Sequence, residues 1–187
     1  MILLASRSPR RRELLEQIGV PHEALPVDVD ESPLPGEPAE AYVCRVTLAK
    51  AEAARQLRPD LPVLAADTAV VLDGTPLGKP RDEAHAVEML LALSGRSHRV
   101  MSGVALASDA GTGYRLSVSE VTFASLTEAQ ARRYWATSEP QDKAGGYAVQ
   151  GRAALFIRRI EGSYSGIMGL PLYETGQLLA EAGLLAV

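Results

Sequence analysis

Three arginines, Arg10, Arg11 and Arg12, fall in what the sequence predicts to be the first turn of a helix, where cations are least welcome. Ser8 is a favoured N-cap, Pro9 suits the first helical position, and Leu14, Leu15 and Ile18 follow at helical spacing before Gly19. A helix start carries about half a positive charge, so each cation there costs on the order of 0.3–1 kcal/mol. At about 100° per residue the apolar stripe passes back through Arg11, with Arg10 on its flank and Arg12 nearly opposite. A bound anion would offset the cost, because free amides, the helix dipole and a guanidinium fork would converge on one phosphate. The alternative is a solvated basic turn.

Four further residues invite the same question. Lys50 falls in the middle of the stripe Val43, Val46, Ala53, Ala54 and Leu57, in a helix predicted over about 39–57. An ammonium buried there costs several kcal/mol without an anionic partner, so it needs a counter-charge or must snorkel to water. Asp67 follows the apolar run "PVLAA", which predicts a carboxylate at the end of a buried strand. There it could face a cleft, coordinate Mg²⁺ or take a proton from water; an Asx-type turn with Thr68 is the plainer role. Lys79, in "GKP", is a cation just after a strand. With Gly74 and Gly78 it fails as a Walker loop, because the spacing is one residue short and Pro80 replaces the Ser or Thr. Gly145, Gly146 and Gly151 flank Gln150, whose amide offers one donor and one acceptor face that could complement O4 and N3–H of uracil or thymine. A glycine-rich connector ahead of a strand is the commoner meaning. Cys44 reads as a packed side chain, and no G-x-S-x-G elbow is present.

The elements that must position these residues follow from local patterning. "MILLA" is a short buried strand leading into the first helix, which puts Ser6 and the arginines at a strand-to-helix turn. Residues 31–41, with Pro33, Pro35 and Pro38, read as a loop of flap-like composition ahead of the 39–57 helix. After Asp67, "TAVVLDGTPLG" predicts a hairpin turn at Asp73-Gly74, and "RDEAHAVEMLLALSG" a helix stopping at Gly95. "SHRVMSGVALAS" and "YRLSVSEVTFAS" predict a large antiparallel hairpin, and Thr127 caps a helix to about Ala136. Then come "DKAGGYAVQG", a strand "AALFIRRI", a loop "EGSYSGIMGLP" and a helix over about 171–182. There are no internal repeats, and the expected class is α/β with a mixed sheet.

Composition narrows the function. A chain of 187 residues with 47% hydrophobic content is expected to form one domain, 1–187, or two closely apposed lobes. A net charge of −4 argues against a nucleic-acid surface, so any anion must be held by local cations. A single cysteine and three scattered histidines exclude an internal disulfide and make a zinc site improbable. No stretch approaches the roughly 18 apolar residues of a membrane span, so neither membrane nor nucleic acid is an expected partner, and a cytoplasmic location is expected.

Taken together, "LASRSPRRRELL", "LAKAEAA", "ADTAVVLDGTPLGKPRD", "SGRSHRVMSGVAL", "DKAGGYAVQG" and "GSYSGIMGLPL" resemble the Maf family of nucleoside triphosphate pyrophosphatases, from about Ile2 to Leu179 and in the family's order. The resemblance implies a two-lobed mixed-sheet α/β fold with flanking helices and a central cleft, related to the inosine triphosphate pyrophosphatases, and a homodimer. It implies Mg²⁺- or Mn²⁺-dependent release of pyrophosphate from a nucleotide. The family's substrate-binding positions match Ser6, Arg10, Arg11, Lys50, Lys79, Thr68 and Gln150. Asp67 matches the catalytic base and metal ligand, and Glu31 an acidic position that assists the metal. Arg10, Thr68 and Gln150 look like the branch acting on dTTP and UTP rather than the 7-methyl-GTP branch. Departures are "AADT" where "GADT" is usual and Gly166 where a bulkier residue is common. The implied mechanism has Arg10, Arg11, Lys50 and Lys79 holding the triphosphate while water attacks the α-phosphorus. The rivals are a non-catalytic nucleotide-binding regulator of cell division and a phosphatase that strips the terminal phosphate.

Overall fold

The computed structural model describes residues 1–185. Strands β1 (Ile2–Leu4), β2 (His22–Ala24), β3 (Val63–Leu72), β4 (Thr75–Leu77), β5 (Ser97–Ser108), β6 (Gly111–Phe123) and β7 (Ile157–Glu161) form one mixed sheet in the order β2-β1-β3-β5-β6-β7, with β4 pairing β3. β1 runs parallel to β2 and β3, and every other pairing is antiparallel. The helices are α1 (Pro9–Gln17), α2 (Ala39–Leu57), α3 (Glu83–Leu93), α4 (Glu128–Trp135), α5 (Tyr164–Met168) and α6 (Leu172–Glu181). Among the described residues no helix is long and apolar enough to cross a membrane.

Strand alternation distributes β3 between two cores. Its odd-numbered side chains, Val63, Ala65, Ala69 and Val71, meet α2 through Val43, Ala51 and Ala54. Its even-numbered ones meet two separate clusters. Leu64 and Ala66 pack with Leu14 and Leu15 of α1 and Leu178 and Leu179 of α6. Val70 and Leu72 pack with Leu90 and Leu93 of α3 and Tyr134 of α4. Thr68 lies between these clusters, so the even face has two lobes with a gap at its centre.

The edge of β3 opposite β5 has a matching gap. β1 pairs it only at Val63 and Leu64, and β4 takes the same edge only from Val70. Residues 65–69 therefore have a strand neighbour on the β5 side alone, and Asp67 and Thr68 project to opposite sides of that open stretch. A cleft opens where the sheet is incomplete.

Several local expectations change. β3 does not end at Asp67 but continues to Leu72, because Lys50 covers the carboxylate from α2 and lets a charge sit mid-strand. Leu57 is 64% exposed, since the last turn of α2 runs past the sheet. "AALF" is no strand: Arg152–Leu155 forms a 3-10 turn, and β7 begins at Ile157. The loop after β7 contains α5, capped by the Ser163 hydroxyl, which accepts from the Gly166 amide. Ser8 is the N-cap of α1 by position, but its hydroxyl makes no capping bond.

Candidate active site

Ser6, Arg10, Arg11, Glu31, Lys50, Asp67, Thr68, Lys79 and Gln150 all line one cleft of about 680 Å³ at this gap. Six basic and four acidic residues line it, an excess of positive charge in a chain of net charge −4. Such focusing favours an anionic ligand.

On the α2 side, the Lys50 ammonium donates to Asp67 Oδ1 at 2.8 Å and lies 2.8 Å from Glu31 Oε1. This pairing is what permits a buried lysine: two carboxylates share one ammonium, and one of its three protons stays uncommitted. Glu31 is delivered by the proline-rich loop, which is tied down rather than loose. Arg45 of α2 donates to the Ser32 carbonyl at 2.9 Å and grips Glu37 through Nε and Nη2 at 2.7 and 2.8 Å. The Tyr42 hydroxyl donates to the Glu31 carbonyl at 3.1 Å. Burial, with Asp67 and Glu31 nearby, pushes the Tyr42 phenol up to about 12, so it stays a donor.

On the α1 side, Arg11 Nε donates to the Gly169 carbonyl at 2.7 Å, Nη1 to Ser6 Oγ at 3.3 Å and Nη2 to Thr68 Oγ1 at 3.5 Å. Arg10 Nε donates to the Met168 carbonyl at 3.3 Å. The arginines that burden the start of α1 therefore rest on carbonyls at the end of α5, where cations are favoured. Three of the five Arg11 donors are used and two remain. Burial lowers the Arg11 proton affinity, opposed chiefly by Asp67. The Ser102 hydroxyl donates to the Gly166 carbonyl at 2.6 Å, so in its 2.8 Å bond with Thr68 the Thr68 hydroxyl is the donor.

The third wall is the stretch 142–150 with Lys79 beside it. The Gly145 amide donates to the Gly78 carbonyl at 3.0 Å, which clips the two segments together. Tyr147 is buried, its hydroxyl 2.7 Å from His98 Nε2, while Lys79 and Gln150 stay exposed at the rim. Lys143 also lines the cleft and was not singled out from sequence. Burial and the nearby Arg10 lower its proton affinity. A lysine two residues ahead of a glycine pair, matching Lys79 in sign, was the available signal.

Among the described residues no group of three His, Cys, Asp or Glu could hold a metal ion. The pair Asp67 and Glu31 nevertheless suits a hard divalent cation, since Mg²⁺ is commonly held by one or two carboxylates with the rest of its shell from water and substrate phosphates. The donor set fits an ion that arrives with a ligand.

A family model described as Maf-like protein matches residues 1–182. The chain belongs to the Maf family. Among its relatives, a protein of Alkalilimnicola ehrlichii named dTTP/UTP pyrophosphatase is 57% identical, with 96% of this chain and 92% of that one covered. One of Aromatoleum aromaticum with the same name is 55% identical, covering 97% and 95%. The solved structure of the Staphylococcus aureus Ham1 protein overlaps 66% of this chain and 71% of that one, with a TM-score of 0.46 and 18% identity. The α/β assignment for this Maf chain rests on the sheet itself and on the family match, not on that partial overlap.

Proposed function

We propose that this chain is a nucleotide pyrophosphatase that hydrolyses dTTP and UTP to the monophosphate and pyrophosphate. One observation carries the reading: Arg10, Arg11, Lys50, Lys79 and Asp67, from four separate segments, border one cleft that holds both cations for a triphosphate and carboxylates for its metal ion. The names of the relatives at 57% and 55% identity support the substrate.

In this reading Arg10, Arg11 and Lys79 bind the phosphate tail, and the free proton of Lys50 joins them. A divalent cation, Mg²⁺ or Mn²⁺, held by Asp67 and Glu31, would screen charge on the phosphates. The second oxygen of Asp67 takes the proton of a water that attacks the α-phosphorus; the α–β bond breaks and pyrophosphate leaves. Charge growing on the leaving oxygens meets the fixed guanidinium and ammonium groups, and charge-assisted hydrogen bonds of this kind contribute roughly 1.5–3 kcal/mol each. Thr68 and Gln150 contact the base end, and Arg10 serves both ends. The reading takes 1–187 as one two-lobed unit, working as a homodimer in the cytoplasm.

The test is a panel of dTTP, UTP, CTP, GTP and 7-methyl-GTP with Mg²⁺, scored by ³¹P NMR for the phosphate product. Pyrophosphate from dTTP and UTP is expected. Orthophosphate release, binding without turnover, or preference for 7-methyl-GTP overturns the proposal.

A further inference from the structure

Gln150 sits on a short loop whose two ends are fixed by residues outside the cleft lining. The Tyr134 hydroxyl, at the end of α4, accepts from the Ala148 amide at 3.0 Å and donates to Glu139 Oε1 at 2.6 Å. Glu139 accepts in turn from the Arg152 amide at 2.9 Å and the Ala153 amide at 3.3 Å. One phenol and one carboxylate thus hold the backbone two residues before Gln150 and two and three residues after it. The Glu139 carbonyl also accepts from the Lys143 ammonium at 2.7 Å. A Cβ on Gly151 would overlap the Glu139 carboxylate, so the residue following Gln150 must be small for the brace to close. Burial alone would raise the Glu139 carboxyl, but the Arg152 amide, Tyr134 and the Ala153 amide hold it below its usual range and keep it an acceptor.

Tyr147, three residues before Gln150, is also held through His98 Nε2 at 2.7 Å, but among the described residues the brace is what grips the backbone on both sides of Gln150, and the Gln150 side chain has no hydrogen bond to the protein. Asp67, Lys50, Arg10 and Arg11 are mounted on β3, α2 and α1, and Glu31 on the loop ahead of α2, away from the brace. Resting on the pyrophosphatase reading, we propose that Tyr134 and Glu139 are positioning residues for base selection: they hold Gln150 where its amide meets the base edge, without touching substrate themselves. Half-burying a carboxylate for this purpose is costly unless the lone pairs it loses to water are replaced, and the brace replaces them with two amides and a hydroxyl.

The experiment compares Glu139→Ala, Tyr134→Phe and Glu139→Gln with the unaltered chain, reading kcat and KM for UTP and GTP and inhibition by inorganic tripolyphosphate, which has no base. Tyr134→Phe keeps the ring against Phe156, whose centroid lies 5.2 Å away, so it tests the hydroxyl in a folded chain. We expect the preference for UTP over GTP in kcat/KM to fall at least about tenfold in Glu139→Ala and Tyr134→Phe, mainly through KM, as for loss of substrate orientation. Saturated kcat and tripolyphosphate inhibition stay near those of the unaltered chain, and Glu139→Gln, which retains an acceptor oxygen, recovers most of the preference. An unchanged preference in both variants, or a parallel loss of UTP and tripolyphosphate binding, overturns the brace alone. An unaltered chain that releases no pyrophosphate from UTP overturns the parent reading and the brace with it.

Discussion

Lys50 of α2 and Asp67 of β3 form a buried ion pair at 2.8 Å, with side chains 10% and 9% exposed. Glu31 completes a three-membered cluster on the same ammonium, so the cation is the element that makes two neighbouring acids tolerable. Lys50→Met should strip that charge and leave both carboxylates facing each other. Breaking a buried pair from one side costs about 3–5 kcal/mol. Urea unfolding should show a loss of that order, partly restored in the double variant Lys50→Met/Asp67→Asn; an additive double variant would show that the pair is not coupled.

Asp67→Asn is the gentler change, because Lys50 keeps Glu31 and the amide is isosteric. It should leave the urea midpoint near that of the unaltered chain and lower kcat by about 10²–10⁴, the range for loss of a general base. Near-normal turnover would remove Asp67 from that role.

Arg45→Gln separates anchoring from global stability. Its ion pair with Glu37 is part-buried, but it ties a surface loop to α2 rather than bracing the core, so its loss falls on that loop more than on the fold as a whole. Its bonds to Ser32 and Glu37 nevertheless hold the loop that presents Glu31. The Mg²⁺ concentration for half-maximal rate should rise about tenfold, as for lost support behind a metal ligand, with little change in Tm. Arg45 holds the Glu37 carboxyl down at about 2, so the tie is complete above the usual carboxylate range and is lost as pH falls through it toward about 2.

His98 predicts a pH slope of its own. Burial holds its imidazole down at about 4, inside a cluster with Phe123 and Tyr147. Between the ordinary value of about 6.5 and about 4 the unfolded chain takes a proton that the folded chain refuses. Stability should therefore be fully present above about pH 6.5 and fall on acidification, by on the order of 3 kcal/mol at about pH 4. His98→Gln should flatten that slope in urea titrations at pH 4 to 7. An equal slope in the variant would place its origin elsewhere.

What the sequence made legible was local. The apolar spacing around Lys50 predicted α2 over its observed residues, Thr127 the cap of α4, and Asp73-Gly74 the β3–β4 hairpin. Arg11 was expected to point inward because the helical stripe passes through it, and it does. What was hidden depends on partners distant in sequence. The continuation of β3 through Asp67 needs Lys50, the five-residue α5 is buttressed by Arg11 and Ser102 on its carbonyls, and the 3-10 turn at Arg152 is held by Glu139. In the cleft, the types of the charged residues were visible, but the strand edge that gathers them was not. A gap between β1 and β4 on one side of β3 has no local signature.

Because Asp67 and Thr68 are consecutive on one strand, they reach opposite sides of the sheet from a single backbone that β5 grips along its whole length. Adding or deleting one residue between Leu64 and Asp67 would invert both at once, turning the acid toward Arg11 and the hydroxyl toward Lys50. The acid beside Lys50 and the hydroxyl beside Arg11 therefore share one reading frame. Changes in the loops around the cleft leave that frame intact, whereas a one-residue slip within β3 moves both side chains together.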